Sequence, residues 1–323
     1  MTDVQAKNLS AAKTIDAPGE RWVGYALGAL GASLFATKGI VIKLALAENV
    51  DAVTTLTWRM IIAVPIFALI GWMGYRQRVA RGNPPDISPR TLLAICAVGA
   101  LGYYVASYLD FAGLTYISAQ FDRLILLTSP FFVLLFGAIL FRRRVTLAMI
   151  AALVASYLGL VVIFVHDLAF DARDVVRGTL LVLGAAIAYA GYQLLAKPLI
   201  DRTGSRFFTS LAMTSAGVAV VAHFLLTHNA GDLLLPPNAM LLMLAMGTVS
   251  TVLPAYLIAA AIGRIGSEPT SVMGNISPLV TIALAVTILG ETFSIWHAVG
   301  AALVLGGVIT FGRLSARAAA RPG

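Results

Sequence analysis

Long apolar stretches separated by short polar segments run through almost the whole of this 323-residue chain. A helix of about 20 apolar residues, rising about 1.5 Å per residue, crosses a hydrocarbon core of about 30 Å. Because a backbone in lipid must satisfy its own hydrogen bonds, each stretch of that length is predicted to be a helix. The ten predicted spans lie at roughly 22–43, 54–75, 92–113, 117–141, 145–165, 178–199, 207–227, 238–261, 269–289 and 294–312.

The last five spans repeat the pattern of the first five at a nearly fixed offset. Lys43 falls on Lys197 at an offset of 154 residues, and the Ser-Pro step at 129–130 falls on that at 277–278 at an offset of 148. Two copies that each hold an odd number of spans must enter the membrane in opposite orientations. The predicted fold is therefore an all-α membrane protein of two inverted five-helix repeats, an arrangement that places a binding site near the bilayer midplane. Its predicted segments are a tail at 1–20, a first repeat at 21–166, a second repeat at 177–313 and a tail at 314–323.

The composition agrees with a membrane protein and excludes a soluble globule. Apolar residues make up 59% of the chain, charged residues 12%, and the mean hydropathy is +0.88. The net charge of +8 follows from topology, because an inside amino terminus places seventeen basic residues in inside segments and leaves Arg173 and Arg177 in outside loops. This positive-inside bias predicts two cytoplasmic termini in a bacterial inner membrane. It also predicts contact with anionic lipid and no nucleic-acid partner.

Ionisable residues inside predicted spans are candidates for function, because each costs about 2.5–3.5 kcal/mol near the centre of a membrane helix on insertion scales. Lys38 is the deepest of them and shares a helix face with Phe35, so it could meet a substrate carboxylate. Two charge-neutralising pairs are possible, Asp110 with Arg59 and Asp122 with Lys38. Each is either a structural salt bridge or a gate that opens and closes with the transport cycle. Lys43 and Arg123 are expected to extend to the membrane interface.

Uncharged polar and aromatic residues provide a second group of candidates. Tyrosines crowd the third and sixth spans, and Tyr189 shares a helix face with Gln193 at a spacing of four residues. A core or interfacial role is the common alternative for such tyrosines. The predicted substrate-binding residues are Phe35, Lys38, Arg59, Tyr104, Ser107, Gln120, Tyr189, Gln193, Ser250, Tyr256 and Asn275.

The Ser-Pro steps predict interruptions of the fourth and ninth spans, because proline cannot donate the backbone hydrogen bond of a helix interior. Pro130 and Pro278 are therefore either static kinks or hinges of a moving part.

The sequence lacks the motifs that other classes of protein require. The four histidines are scattered without the His-Glu-x-x-His spacing, and no phosphate-binding Gly-x-x-x-x-Gly-Lys loop occurs. The sequence therefore predicts no enzyme, no metal site, no cofactor and no primary ATP-driven pump. A channel or a membrane receptor stays open, and counterflow in proteoliposomes would separate both from a carrier.

Two matching segments carry a family resemblance. Residues 114–144 and 262–307, with the Ser-Pro steps, the Gly-Glu step at 290–291 and the Trp-Arg pair at 58–59, resemble EamA-type proteins of the drug/metabolite transporter superfamily. The resemblance implies ten helices, both termini inside and export of small metabolites or amino acids. The chain departs from the pattern at 142–143, where two arginines replace Gly-Glu, and it lacks the first-helix glutamate that small multidrug relatives use for protons.

The combined prediction is a secondary transporter that exports small metabolites by alternating access, with amino acids, including aromatic ones, as the substrate class. Its length and its tyrosine-rich third span make it similar to the aromatic amino-acid exporters. The alternative is an efflux carrier for hydrophobic drugs. A monomer is permitted, since ten helices can enclose a pathway alone.

Overall fold

The computed structural model describes residues 18–141, 146–168, 172–265, 270, 273–274 and 276–319, and these residues are almost entirely helical. A 3-10 turn at Ala230–Leu233 precedes the ninth helix. The helices are α1 Pro18–Ala47, α2 Ala52–Ala80, α3 Pro89–Gly113, α4 Ala119–Leu126, α5 Ser129–Phe141, α6 Leu147–Leu168, α7 Ala172–Thr203, α8 Ser205–Thr227, α9 at 237–265, α10 Ile276–Ile288 and α11 Ile295–Ala319.

Within the described ranges, nine helical segments are long and apolar enough to cross a membrane, with α4 and α5 counted together as one. They correspond to nine of the ten predicted spans. The predicted ninth span is occupied by α10, whose 13 described residues are apolar but shorter than a full crossing. The multi-pass helical class is confirmed, and the tenth crossing stays a prediction.

The fourth span is broken at the first Ser-Pro step, where α4 ends at Leu126 and α5 begins at Ser129. Pro130 has no backbone N–H to offer to the carbonyl of Leu126, four residues earlier. The Ser129 hydroxyl donates to that carbonyl instead, at 2.5 Å. A side chain thus satisfies the backbone group that proline leaves free, and the chain changes direction without an orphaned carbonyl.

The third and eighth spans each contain a π-helical segment at equivalent positions. It covers Ala100–Val105 in α3 and Thr248–Val252 in α9, so the two start 148 residues apart, which is the offset of the sequence repeat. In the second segment the Thr251 hydroxyl donates to the Met246 carbonyl, five residues back, at 2.8 Å. Such bulges concentrate at functional sites, because they rotate the side chains that follow.

The two repeats pack against each other through matching helix pairs. Helix α1 contacts α9 and α10, and α7, its counterpart in the second repeat, contacts α3 and α5. Helix α2 contacts α8, and α6 contacts α11. Exchanging the repeats therefore leaves these pairings unchanged.

Glycine allows the close crossing of α6 and α11. A Cβ placed on Gly300 would lie 2.7 Å from the carbonyl oxygen of Gly159, and one on Gly159 would lie 2.5 Å from that of Gly300. The two backbones are thus in direct contact, which is a common way for membrane helices to associate.

Gly300→Ala is expected to lower the midpoint of thermal denaturation in detergent, because its methyl group would collide with the backbone of Gly159. Overpacking of this kind costs about 1–3 kcal/mol. The matched control is Gly306→Ala on the same helix, where an added Cβ meets nothing within 4 Å. Equal midpoints for the two variants would contradict the close crossing.

Candidate functional site

An ion pair joins two helices of the first repeat. Lys38 on α1 donates to Asp110 on α3, with 2.5 Å between Nζ and Oδ2, and their side chains are only 12% and 4% exposed. This pairing differs from both predicted ones, Asp110 with Arg59 and Asp122 with Lys38. The π-helical segment lies immediately before this part of α3, and that change in helix rotation was not visible in the sequence.

Arg59 on α2 connects this region to the second repeat. Its side chain is buried, and it donates to Ser107 Oγ on α3 at 3.1 Å and to Thr251 Oγ1 on α9 at 3.2 Å. The guanidinium carbon also lies 5.7 Å from the centre of the Phe111 ring. The second π-helical segment thus supplies the oxygen that holds Arg59 across the interface.

Arg123 on α4 also points inward, so the expectation that it extends to the membrane interface was wrong. Its guanidinium donates to the hydroxyl of Ser277 on α10 and lies 5.6 Å from the centre of the Phe35 ring. A hydroxyl, an aromatic face and the neighbouring charge of Asp122 together replace the water that the guanidinium would meet at the interface.

Several buried polar atoms in this region have no hydrogen-bond partner among the described residues. They are Oδ1 of Asp110, Oδ1 of Asp122, Oε1 of Gln120 and Nε of Arg123. Such atoms are rare in native structures, because each carries a desolvation cost that nothing compensates. Their concentration in one region makes it a candidate binding site for a polar solute.

The charges of this region do not cancel. Lys38, Arg59 and Arg123 supply three positive charges, and Asp110 and Asp122 supply two negative ones within electrostatic range of them. With both carboxylates ionised the group has an excess of one positive charge, so it favours an anionic group on a solute. We call these five residues the charged cluster.

A wall of tyrosines borders the charged cluster. The hydroxyls of Tyr103 on α3 and Tyr192 on α7 are 2.9 Å apart, and the ring of Tyr189 stacks on Tyr192 with centroids 5.7 Å apart and planes at 22°. Tyr189 is 42% exposed and within electrostatic range of Arg123. The aromatic ring of Tyr189 therefore lies within electrostatic range of a cationic side chain.

The remaining predicted site residues contact other parts of the chain. Tyr104 bonds His223 on α8 at 3.1 Å, and Ser250 bonds Thr37 on α1 at 2.8 Å. Gln193 is exposed, one helical turn beyond Tyr189. Tyr256 is 43% exposed within electrostatic range of Arg206, away from the charged cluster.

Asn275, the last predicted binding residue, lies outside the described residues. The two predicted hinge residues are near helix starts: Pro130 is the second residue of α5, and buried Pro278 is the third of α10.

Glu291 closes one end of the site, a role that the Gly-Glu step alone did not reveal. Gly290 has a φ of +66°, which allows the chain to turn sharply after α10. The Glu291 carboxylate then accepts the backbone N–H groups of Ala119 at 2.6 Å and Gln120 at 3.3 Å, while Ser118 Oγ accepts that of Phe121. A carboxylate of the second repeat thus caps the amino terminus of α4 in the first.

A cavity of about 290 Å³ opens beside this cap. Its walls include Gln120, whose amide donates to the Thr292 carbonyl at 2.8 Å, together with Glu291, Asp167 and His297. Histidines that are scattered in the sequence come together here, since the rings of His166 and His297 are 5.0 Å apart.

Two related sets of membrane-spanning helices that meet around a buried, charged and aromatic-lined interior form the architecture of a membrane transporter. The sequence profile of the EamA-like transporter family matches residues 22–165 and 176–313. The chain belongs to this family.

Individual relatives agree with that assignment. The uncharacterized transporter YcbK of Bacillus subtilis is 28% identical over 275 residues, which cover 84% of this chain and 86% of that protein. A probable amino-acid metabolite efflux pump of Salmonella typhimurium is 23% identical over 199 residues, covering 59% and 66%. A crystal structure of another protein shares the fold with a TM-score of 0.56 at 18% identity, covering 91% of this chain and 98% of that one.

Glu291 gives the folded protein a specific pH dependence. Burial raises the pKa of its carboxyl above the ordinary value of 4.5, and the N–H groups of Ala119 and Gln120 reduce this rise without cancelling it. A carboxyl whose pKa is raised on folding contributes stability that is full below its unfolded pKa and is lost as pH rises through the folded pKa. Glu291→Gln is therefore expected to flatten the decline of the denaturation midpoint above pH 4.5.

The control is Asp86→Asn on the exposed segment before α3. Hydrogen bonds from Thr91 and Ser88 lower the pKa of Asp86, so its contribution is present above its unfolded pKa and is lost as pH falls. An unchanged pH profile of the midpoint in Glu291→Gln would refute the assignment.

Proposed function

We propose that this EamA-family protein is a secondary transporter that exports amino acids, including aromatic ones, across the bacterial inner membrane. The observation that carries the proposal is the charged cluster between the repeats, with its excess positive charge and its unpartnered polar atoms. A solute carboxylate would balance that charge and supply acceptors for Lys38 and Arg123. The name of the Salmonella relative points to the same substrate class.

The tyrosine wall accounts for the apolar part of such a solute. Aromatic rings prefer offset-stacked or edge-to-face contact, and the exposed face of Tyr189 offers such a surface beside Arg123. Gln193, one turn further along α7, could bond the amino group. An amino acid would thus place its carboxylate on the cluster and its side chain on the wall.

Alternating access requires that the two halves exchange conformations across the membrane. We propose ten spans in two inverted repeats, with both termini in the cytoplasm and a monomer sufficient for transport. The symmetric pairing of α1 with α9 and of α7 with α3 supports this arrangement, as does the positive-inside bias. Pro130 and Pro278 are the proposed hinges.

The transport prediction uses reconstituted vesicles and counterflow of labelled amino acids. Arg123→Gln is expected to weaken solute affinity by about 10- to 100-fold, because a hydrogen bond to a charged group is worth about 1.5–3 kcal/mol. Lys38→Met with Asp110→Asn removes a matched pair and avoids leaving one charge buried alone. The apparent affinity and the maximal rate are measured separately.

Lys197→Gln is the control, since Lys197 pairs with Asp201 at 2.6 Å on the exposed end of α7. It should transport like the parent protein. Unchanged kinetics in the cluster variants would remove these residues from the site. Uptake of hydrophobic drugs without any amino acid would favour the alternative efflux function.

The topology prediction is tested with introduced cysteines, because the chain has a single cysteine that can be removed. In a Cys96→Ser background, Arg173→Cys is expected to react with a membrane-impermeant maleimide on intact cells. Arg81→Cys should react only after lysis. Both arginines are exposed, so burial cannot explain a difference between them. The opposite labelling pattern would reverse the proposed orientation.

A further inference from the structure

We propose that His166, Asp167 and His297 form a Zn²⁺ site that links the two repeats. His166 and Asp167 lie at the end of α6 in the first repeat, and His297 lies in the first turn of α11 in the second. One potential ligand atom from each residue lies within 4.8 Å of the other two. Residues separated by 130 positions in the sequence thus converge on one point.

Two of the three distances between ligand atoms suit a small tetrahedral ion. Oδ1 of Asp167 lies 3.1 Å from His166 Nδ1 and 3.2 Å from His297 Nε2. Zinc bonds of about 2.0–2.1 Å at the tetrahedral angle separate neighbouring ligand atoms by about 3.3 Å. An ion can therefore take the place of these contacts with small side-chain rotations.

The donor set selects the metal. Two imidazoles and one carboxylate suit zinc and other late first-row divalent ions, whereas Mg²⁺ and Ca²⁺ prefer oxygen ligands. Three protein ligands leave a fourth position of the tetrahedron for water or another ligand.

The surroundings provide both access and support. His297 is only 4% exposed, while His166 and Asp167 are about one-fifth exposed, so one side of the cluster remains open. Asp167 and His297 also line the 290 Å³ cavity.

A second contact orients the inner ligand. His297 Nδ1 lies 2.8 Å from Ser294 Oγ and 3.3 Å from the Ser294 backbone nitrogen. The Ser294 backbone N–H donates to Nδ1, so the contacts with Ser294 hold the ring with Nε2 toward Asp167.

The ligands also impose a conformational condition. Because α6 and α11 cross closely at Gly159 and Gly300, their ends stay near each other only while this crossing is intact. A metal held from both repeats therefore stabilises that arrangement. The inference concerns binding alone, so it does not depend on the solute that the protein transports.

The test measures Zn²⁺ binding by calorimetry on the full-length protein in detergent, stripped with a chelator and freed of any histidine tag. We expect one ion per chain. Co²⁺ should bind at the same place with the visible absorption of a tetrahedral complex, and excess Mg²⁺ should not displace either ion.

The variants assign the ligands. His166→Ala and His297→Ala each remove a ligand and should each weaken Zn²⁺ binding by more than 100-fold, beyond the loss of about 10- to 100-fold that is typical of supporting residues. His297→Gln replaces the alanine variant if that one does not remain monodisperse. The control is His228→Ala, because His228 also faces a carboxylate, Asp51, at 3.4 Å but has no third ligand among the described residues.

Three results would overturn the proposal. They are no Zn²⁺ binding by the parent protein, binding that survives His166→Ala together with His297→Ala, and an equal loss in His228→Ala. Each is read from binding, so a failure of amino-acid transport leaves this test unaffected.

Discussion

A charged side chain cannot face lipid without a large cost, and this constraint organises the interior of the protein. Lys38, Arg59 and Arg123 turn away from the bilayer toward carboxylates, hydroxyls and aromatic rings. Because some of the hydroxyls belong to the second repeat, satisfying the charges of the first also holds the halves together. The charged cluster is thus a structural contact as well as the proposed binding surface.

Two further contacts between the repeats depend on different physical interactions. At the crossing of α6 and α11 the backbones touch, because Gly159 and Gly300 carry no side chain. Near the cavity the Glu291 carboxylate accepts the otherwise unpaired N–H groups at the amino terminus of α4. The glycine contact depends on shape and the cap depends on charge, so only the second responds to pH.

Sequence reasoning succeeded where the membrane imposes a simple rule. Apolar length located nine helices, the internal offset matched the two π-helical segments, and the cost of intramembrane charge singled out Lys38 and Arg59. It failed where the answer depended on helix rotation. Lys38 pairs with Asp110 instead of Asp122, and Arg123 bonds across to Ser277.

The sequence by itself determined the class of the protein, since hydropathy and charge act on each segment independently of its neighbours. It also indicated that the second half repeats the first. Only the tertiary structure decided which side chains meet: the partner of Asp110, the cap that Glu291 provides and the meeting of His166 with His297. Each of these contacts joins helices that are distant in the chain, and their relative rotation is set by packing, which no local pattern encodes.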